Sequence, residues 1–127
     1  MQRYTTTNIV GFLAFVVAIG VLNACAGTRA AYDSATTLDA KAYVVSEHYA
    51  ALVREANDLA DQPGFPPARL AQLQAADSAA KPLVLELRSA AQTYTALRSA
   101  ENEAALQEAL NKAVLQVSAF ITVIRNR

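Results

Sequence analysis

The most reactive side chain in this sequence is the thiol of Cys25, the only cysteine among 127 residues. It follows Leu22, Asn23 and Ala24, at the point where an apolar stretch ends and polar sequence begins. A single cysteine excludes an internal disulfide, because a disulfide needs two thiols. The thiol is instead a candidate attachment point, and the residues on either side of it indicate what could be attached.

The segment before this thiol has the organisation of a secretory leader. Residues 1–8 are polar and carry one basic side chain, Arg3, and residues 9–22 are continuously apolar. As a helix, the apolar run would span only about 21 Å, which is short of the roughly 30 Å hydrocarbon core of a bilayer. A charged start followed by a short apolar stretch is typical of a signal peptide.

The sequence Leu22-Asn23-Ala24-Cys25 resembles the lipobox of bacterial lipoproteins, which has an apolar residue, a loosely specified residue, a small residue and an obligatory cysteine. The resemblance implies cleavage between Ala24 and Cys25, diacylglycerol on the Cys25 thiol and an acyl chain on the freed amine. Ala26, rather than an aspartate, follows the cysteine. This resembles the default signal by which enteric bacteria sort lipoproteins to the outer membrane. We therefore expect a signal peptide over residues 1–24 and a lipidated tether over residues 25–33, facing the periplasm; retention at the inner membrane is the alternative.

Two other interpretations of the N-terminal region remain open. Residues 9–27 give 19 mostly apolar positions, enough to span a bilayer as an uncleaved anchor. Arg3 before this stretch and Arg29 after it balance each other, so charge does not orient the segment. Alternatively, Cys25 is a buried structural residue, as unpaired cysteines commonly are.

The composition after residue 25 favours helices and does not favour a nucleic-acid partner. Lys plus Arg equals Asp plus Glu at 11 each, so there is no basic excess to neutralise phosphates. Alanine is abundant and costs least in a helix, and glycine occurs only at Gly27 and Gly64. About 100 residues can form one domain with a modest core.

Three apolar stripes with alternating steps of three and four residues predict three amphipathic helices. The first stripe is Leu38, Ala42, Val45, Tyr49, Leu52, Ala56 and Leu59. The second is Leu73, Ala76, Ala80, Leu83, Leu87, Ala90, Tyr94 and Leu97. The third is Leu106, Leu110, Ala113, Val117, Phe120 and Ile124.

The predicted fold is all-α, with helices at about residues 34–61, 67–98 and 102–125. Pro63, Gly64 and the pair at residues 66–67 break the first helix from the second. Pro82 predicts a kink or a full break in the second helix, since it removes one backbone hydrogen bond. Short connections between helices predict an antiparallel three-helix bundle over residues 34–127.

No arrangement of residues predicts catalysis, a metal site or a bound cofactor other than the lipid on Cys25. His48 lies off its stripe and is predicted to be a solvated surface histidine without partners for a metal. Glu55, Asp58 and Asp61 share a helix face and are best interpreted as solvated carboxylates. Tyr49 and Tyr94 fall on core stripes, so packing is favoured over binding of a sugar. The protein is not expected to be an enzyme.

Two leucines fall outside the core stripes and predict a contact patch. Leu85 on the second helix and Leu115 on the third are each about fifteen residues from the turn near residue 100. They should therefore lie at similar height and form a surface for a protein partner or a second copy, unless the first helix covers them.

These features predict a membrane-anchored periplasmic lipoprotein that acts as a non-catalytic structural or interaction module of the cell envelope. The leader and the Ala-rich helical body are similar to small lipoproteins of Gram-negative bacteria and their phages, among which accessories of lysis or exclusion are one possibility. The alternatives are a small-ligand binder with a polar-lined cavity near Pro82 and a single-pass membrane protein.

Overall fold

The computed structural model describes residues 29–126, and these residues are helical without any strand. The chain divides into two compact units at the boundary between Ser34 and Ala35. In the first unit, residues 29–34 are helical, and Arg29 lies 3.8 Å from Asp33 one turn later. The second unit contains three long helices, which confirms the all-α prediction for the described part of the chain.

The first long helix, α1, spans Leu38–Ala60. Thr37 is extended and caps it, since the Thr37 hydroxyl accepts a hydrogen bond from the Ala40 backbone N–H at 3.3 Å. The predicted start at residue 34 is therefore wrong by about one turn. Residues 35–37 leave the helical conformation, and the cap sets the start at Leu38.

The second long helix, α2, spans Pro67–Ala96 and continues through Pro82 as one helix. A full break at Pro82 is thus excluded, and the kink stays a prediction. Between α1 and α2, Gly64 has a φ of +78°, a left-handed conformation that glycine adopts without a side-chain clash. Pro67 occupies the first turn of α2, where its missing N–H has no intrahelical partner to lose.

The third long helix, α3, spans Ala100–Arg125 and starts two residues earlier than predicted. Ser99 caps it by accepting a hydrogen bond from the Asn102 backbone N–H at 3.1 Å. The Asn102 side chain donates to the Leu97 carbonyl at 2.8 Å, across the short connection. Leu97 is extended and 65% exposed, so its predicted place in the core stripe is wrong.

The core lies where the three helices meet, and each helix contacts both of the others. Packing is most extensive between α2 and α3. All six predicted stripe residues of α3 are buried, and Leu87, Leu106 and Ala113 have no exposed surface. Val84 is also buried although it lies off the predicted stripe.

Polar contacts connect the ends of neighbouring helices. Arg69 near the start of α2 donates to the Val123 carbonyl near the end of α3 at 3.0 Å. Arg98, just after α2, lies 3.6 Å from Asp39 in the first turn of α1. Each contact joins the beginning of one helix to the end of its neighbour.

Candidate interaction surfaces

The residues of the predicted lipid attachment site lie outside the described part of the chain. Cys25 and the preceding residues Leu22, Asn23 and Ala24 are all N-terminal to residue 29. Their predicted roles in lipidation and in recognition by a signal peptidase therefore stay predictions. Among the described helices, none combines the length and apolarity needed to cross a membrane.

Both leucines of the predicted contact patch are exposed, Leu85 by 53% and Leu115 by 70%. The ion pair between Glu86 and Lys112, at 3.8 Å, joins α2 to α3 close to both leucines. Leu85 precedes Glu86 by one residue, and Leu115 follows Lys112 by three residues. The two helices run in opposite directions. A rise of about 1.5 Å per residue then gives a height difference of about 3 Å between the two leucines.

Leu85 and Leu115 are both exposed, and their predicted common patch stays a prediction. Leu85 precedes Arg88 by three residues, so it shares the side of α2 that faces α1. Its neighbour Glu86 is turned by about 100° toward α3. The Glu86–Lys112 pair is close in sequence to both leucines, and the surface that they would share stays a prediction.

An open groove of about 590 Å³ lies between α1 and α2 and is lined mainly by apolar atoms. Ala42 of α1 and Ala91 of α2 are among its lining residues, and their small side chains leave the groove open. Tyr43 also lines the groove and is 67% exposed. Glu47 on α1 and Arg88 on α2 add opposite charges to its two sides. The groove does not include Pro82, near which a polar-lined cavity would have favoured the alternative of a small-ligand binder.

His48 is not the solvated histidine that the sequence predicted. Both ring nitrogens are buried, and neither has a hydrogen-bond partner in the described residues. Burial lowers the pKa of His48 below its usual value, and the positive charge of Arg125 lowers it further, while Glu55 acts in the opposite direction. The imidazole is therefore neutral at pH 7. It lies off the core stripe on α1, yet the C-terminal part of α3 comes near enough to influence it.

Tyr49 connects all three helices through its side chain. Its hydroxyl donates a hydrogen bond to Asp77 Oδ1 on α2 at 2.5 Å. Its ring centroid lies 6.3 Å from that of Phe120 on α3, within the range of favourable aromatic contacts. Burial raises the pKa of Tyr49, and the hydrogen bond to Asp77 raises it further. These contacts agree with the predicted packing role of this tyrosine.

Arg98 contacts both an aromatic ring and a carboxylate at the surface. Tyr94 lies beneath the guanidinium of Arg98, with 5.5 Å between the Arg98 carbon and the ring centroid. The same Arg98 pairs with Asp39, whose pKa is lowered chiefly by the Thr37 hydroxyl. Such exposed pairs orient side chains and contribute little to stability.

The described residues contain no cluster of three or more His, Cys, Asp or Glu side chains placed to hold a metal ion. Glu55, Asp58 and Asp61 are accordingly not brought together as a site. The chain has no second histidine that could share a metal ion with His48. The charged groups of the described residues thus line contact surfaces and do not form a recognisable metal site.

No family model matches the chain, and neither a curated protein nor a solved structure matches it.

The α1–α2 groove was not found from the sequence. The only indication of a groove in the sequence was the pair of alanines Ala42 and Ala91, since alanines on facing helices leave space between the backbones. Their effect depends on which helices become neighbours and how closely they approach, and an apolar stripe does not specify either property.

Proposed function

We propose that this protein is a membrane-anchored periplasmic lipoprotein and that its helical body is a non-catalytic interaction module of the cell envelope. The observation that carries the proposal is the sole thiol of Cys25 after Leu22-Asn23-Ala24, at the end of a short apolar leader. Two or three acyl chains on one cysteine would anchor the protein stably, because one chain alone binds a membrane only marginally.

The proposed body is an antiparallel three-helix bundle that follows a short tether. The contacts of Arg69 with Val123 and of Asp39 with Arg98 support this arrangement, since each joins opposite ends of consecutive helices. The division of the chain after Ser34 supports a separate compact body. Ten or so residues of tether would hold that body within about 35 Å of the membrane.

Lipidation is tested by expressing the full chain in a Gram-negative host with radioactive palmitate. We expect label in the wild type, no label in Cys25→Ser, and an intact mass that lacks residues 1–24 and includes the acyl groups. Asn23→Ala is the matched control and should be labelled normally. An unlabelled wild-type protein that retains residues 1–24 would contradict the proposal and favour the uncleaved anchor.

The location is tested separately by fractionating the two membranes on a density gradient. We expect the lipidated protein in the outer membrane, with its body accessible to protease only after the periplasm is opened. Recovery in the inner membrane would leave the lipid anchor intact as a proposal but would contradict the proposed sorting by Ala26.

A further inference from the structure

The two sides of the α1–α2 groove carry opposite charges that no other side chain neutralises. Glu47 on α1 and Arg88 on α2 both line the groove and are both exposed. Within residues 29–126, neither forms an ion pair or a hydrogen bond. By contrast, Asp39 pairs with Arg98. The groove therefore presents one free negative side and one free positive side.

Exposed apolar side chains accompany these charges on the same face. Tyr43 lines the groove one turn before Glu47 and is 67% exposed. Leu85 lies one turn before Arg88 and is 53% exposed. A cleft lined mainly by apolar atoms thus lies between two large exposed apolar groups and two unpaired charges, which is the composition of a protein contact surface.

We propose that this groove pairs with the same groove of a second copy of the chain, around a two-fold axis that runs along it. Rotation about such an axis exchanges the two sides, so α1 of one copy faces α2 of the other. Glu47 of each copy then meets Arg88 of the other copy, and the contact forms twice. Tyr43 and Leu85 are buried around these charge pairs.

The charges select this axis over the other two-fold arrangement. An axis across the groove would place α1 of one copy against α1 of the other. Glu47 of one copy would then lie near Glu47 of the other, and this contact between like charges is unfavourable. The axis along the groove also keeps the beginning of α1 at the same end in both copies. Two copies tethered to one membrane could therefore pair without turning either body over.

Membrane confinement strengthens this contact; this step and the point about two tethered copies rest on the proposed function. The groove has ten lining residues, fewer than the roughly 20–30 residues per partner in a stable interface. We therefore expect a reversible dimer in dilute solution. Two copies held in one membrane have a high effective concentration, which favours the dimer.

The test uses two single variants of the full chain, purified from membranes and reconstituted into liposomes at wild-type density. Glu47→Arg alone places arginines on both sides of the groove, and Arg88→Glu alone places glutamates there. Each variant should show a dimer fraction about tenfold lower than wild type in cross-linking, because like charges meet twice. Circular dichroism should show unchanged helix content, since both positions are exposed.

Mixing the two variants with different tags gives the decisive measurement. In a mixed dimer, the two arginines of the Glu47→Arg protein would face the two glutamates of the Arg88→Glu protein, so we expect mixed dimers at the wild-type level. Leu85→Glu should also weaken pairing, whereas Leu115→Glu, on α3 and outside the α1–α2 groove, should not. A monomeric wild type, an absence of mixed dimers, or a loss of pairing in Leu115→Glu would each overturn the proposed interface.

The same cross-linking in concentrated detergent solution separates this proposal from the lipid anchor. Cys25→Ser should still pair there if the groove forms the interface, even though it carries no lipid. A Cys25→Ser protein that pairs while wild type is unlabelled by palmitate would overturn only the proposed function. Labelled wild-type protein that never pairs would overturn only the groove interface.

Discussion

The hydroxyl of Tyr49 donates a hydrogen bond of 2.5 Å to Asp77, and this bond links the middle of α1 to α2. The same tyrosine ring lies beside Phe120 of α3, so one side chain contacts both neighbouring helices. Its hydroxyl has a charged acceptor and its ring has an aromatic neighbour. Substitutions at Tyr49 therefore test the packing of all three helices, through its hydroxyl and through its ring.

Tyr49→Phe should lower the free energy of unfolding by about 1.5–3 kcal/mol, the contribution typical of a hydrogen bond to a charged group. The ring contact with Phe120 is retained in this variant, so the loss reports on the hydroxyl alone. Urea unfolding followed by circular dichroism measures the change. Tyr43→Phe is the matched control, because Tyr43 is 67% exposed and should give almost no change. Equal losses in both variants would contradict the assigned role of the hydrogen bond.

Stability should also fall in strong base because the pKa of Tyr49 is raised in the folded protein. A raised pKa means that folding favours the protonated phenol. The stabilisation is therefore complete below the unfolded-state pKa of about 10 and is lost as the pH rises beyond it. The free energy of unfolding should fall more between pH 8 and pH 11 in wild type than in Tyr49→Phe. Parallel pH dependence in the two proteins would contradict this assignment.

His48 should make the folded state sensitive to mild acid. Its folded-state pKa is lowered by burial and by Arg125, so the unfolded chain binds the proton more readily. The stabilisation from neutral His48 is present above about pH 6.5 and is lost as the pH falls toward the folded-state pKa. In thermal unfolding, the melting temperature of wild type should be lower at pH 5.5 than at pH 7.5.

His48→Leu provides the comparison for this acid sensitivity, because leucine keeps an apolar side chain at the position and cannot bind a proton. The decrease between pH 7.5 and pH 5.5 should be clearly smaller in this variant. Carboxylates such as Asp39 titrate at lower pH and therefore do not account for a transition in this range. An unchanged pH dependence in His48→Leu would show that another group is responsible.

Leu87→Ala should lower the free energy of unfolding by about 2–5 kcal/mol, since it removes a fully buried side chain and leaves a cavity. Leu115→Ala makes the same chemical change at a position that is 70% exposed, and it should stay within about 0.5 kcal/mol of wild type. Chemical denaturation of both variants checks the pair. A large loss in Leu115→Ala would indicate that this leucine is covered by another part of the protein.

Ser99→Ala should destabilise the protein by about 1 kcal/mol, because the Asn102 backbone N–H loses its hydrogen-bond acceptor at the start of α3. Ser99→Asp should retain most of the stability, since aspartate also caps helices well. Thermal unfolding distinguishes the two substitutions. Equal destabilisation by alanine and aspartate would argue against capping as the role of Ser99.

Much of the helical architecture could be predicted because the relevant forces act over one or two turns. The stripe from Leu106 to Ile124 identified the buried face of α3, and Pro67 and Gly64 marked the break between the first two helices. Helix boundaries were less accurate, since the expected start of α1 at residue 34 lies about one turn before Leu38. The folded backbone set that start, because residues 35–37 leave the helical conformation and Thr37 becomes the cap.

The all-helical character of the described chain and most of its core followed from the amino-acid sequence alone, because helix periodicity is a local property of the residues. The candidate lipidation of Cys25 likewise depends only on neighbouring residues and stays a prediction. The tertiary structure decided which side chains meet across helices: it buried the ring of His48, placed Asp77 against Tyr49, and opened the groove between Glu47 and Arg88. These relationships depend on the rotation and separation of neighbouring helices, which small differences in side-chain packing along the whole interface determine.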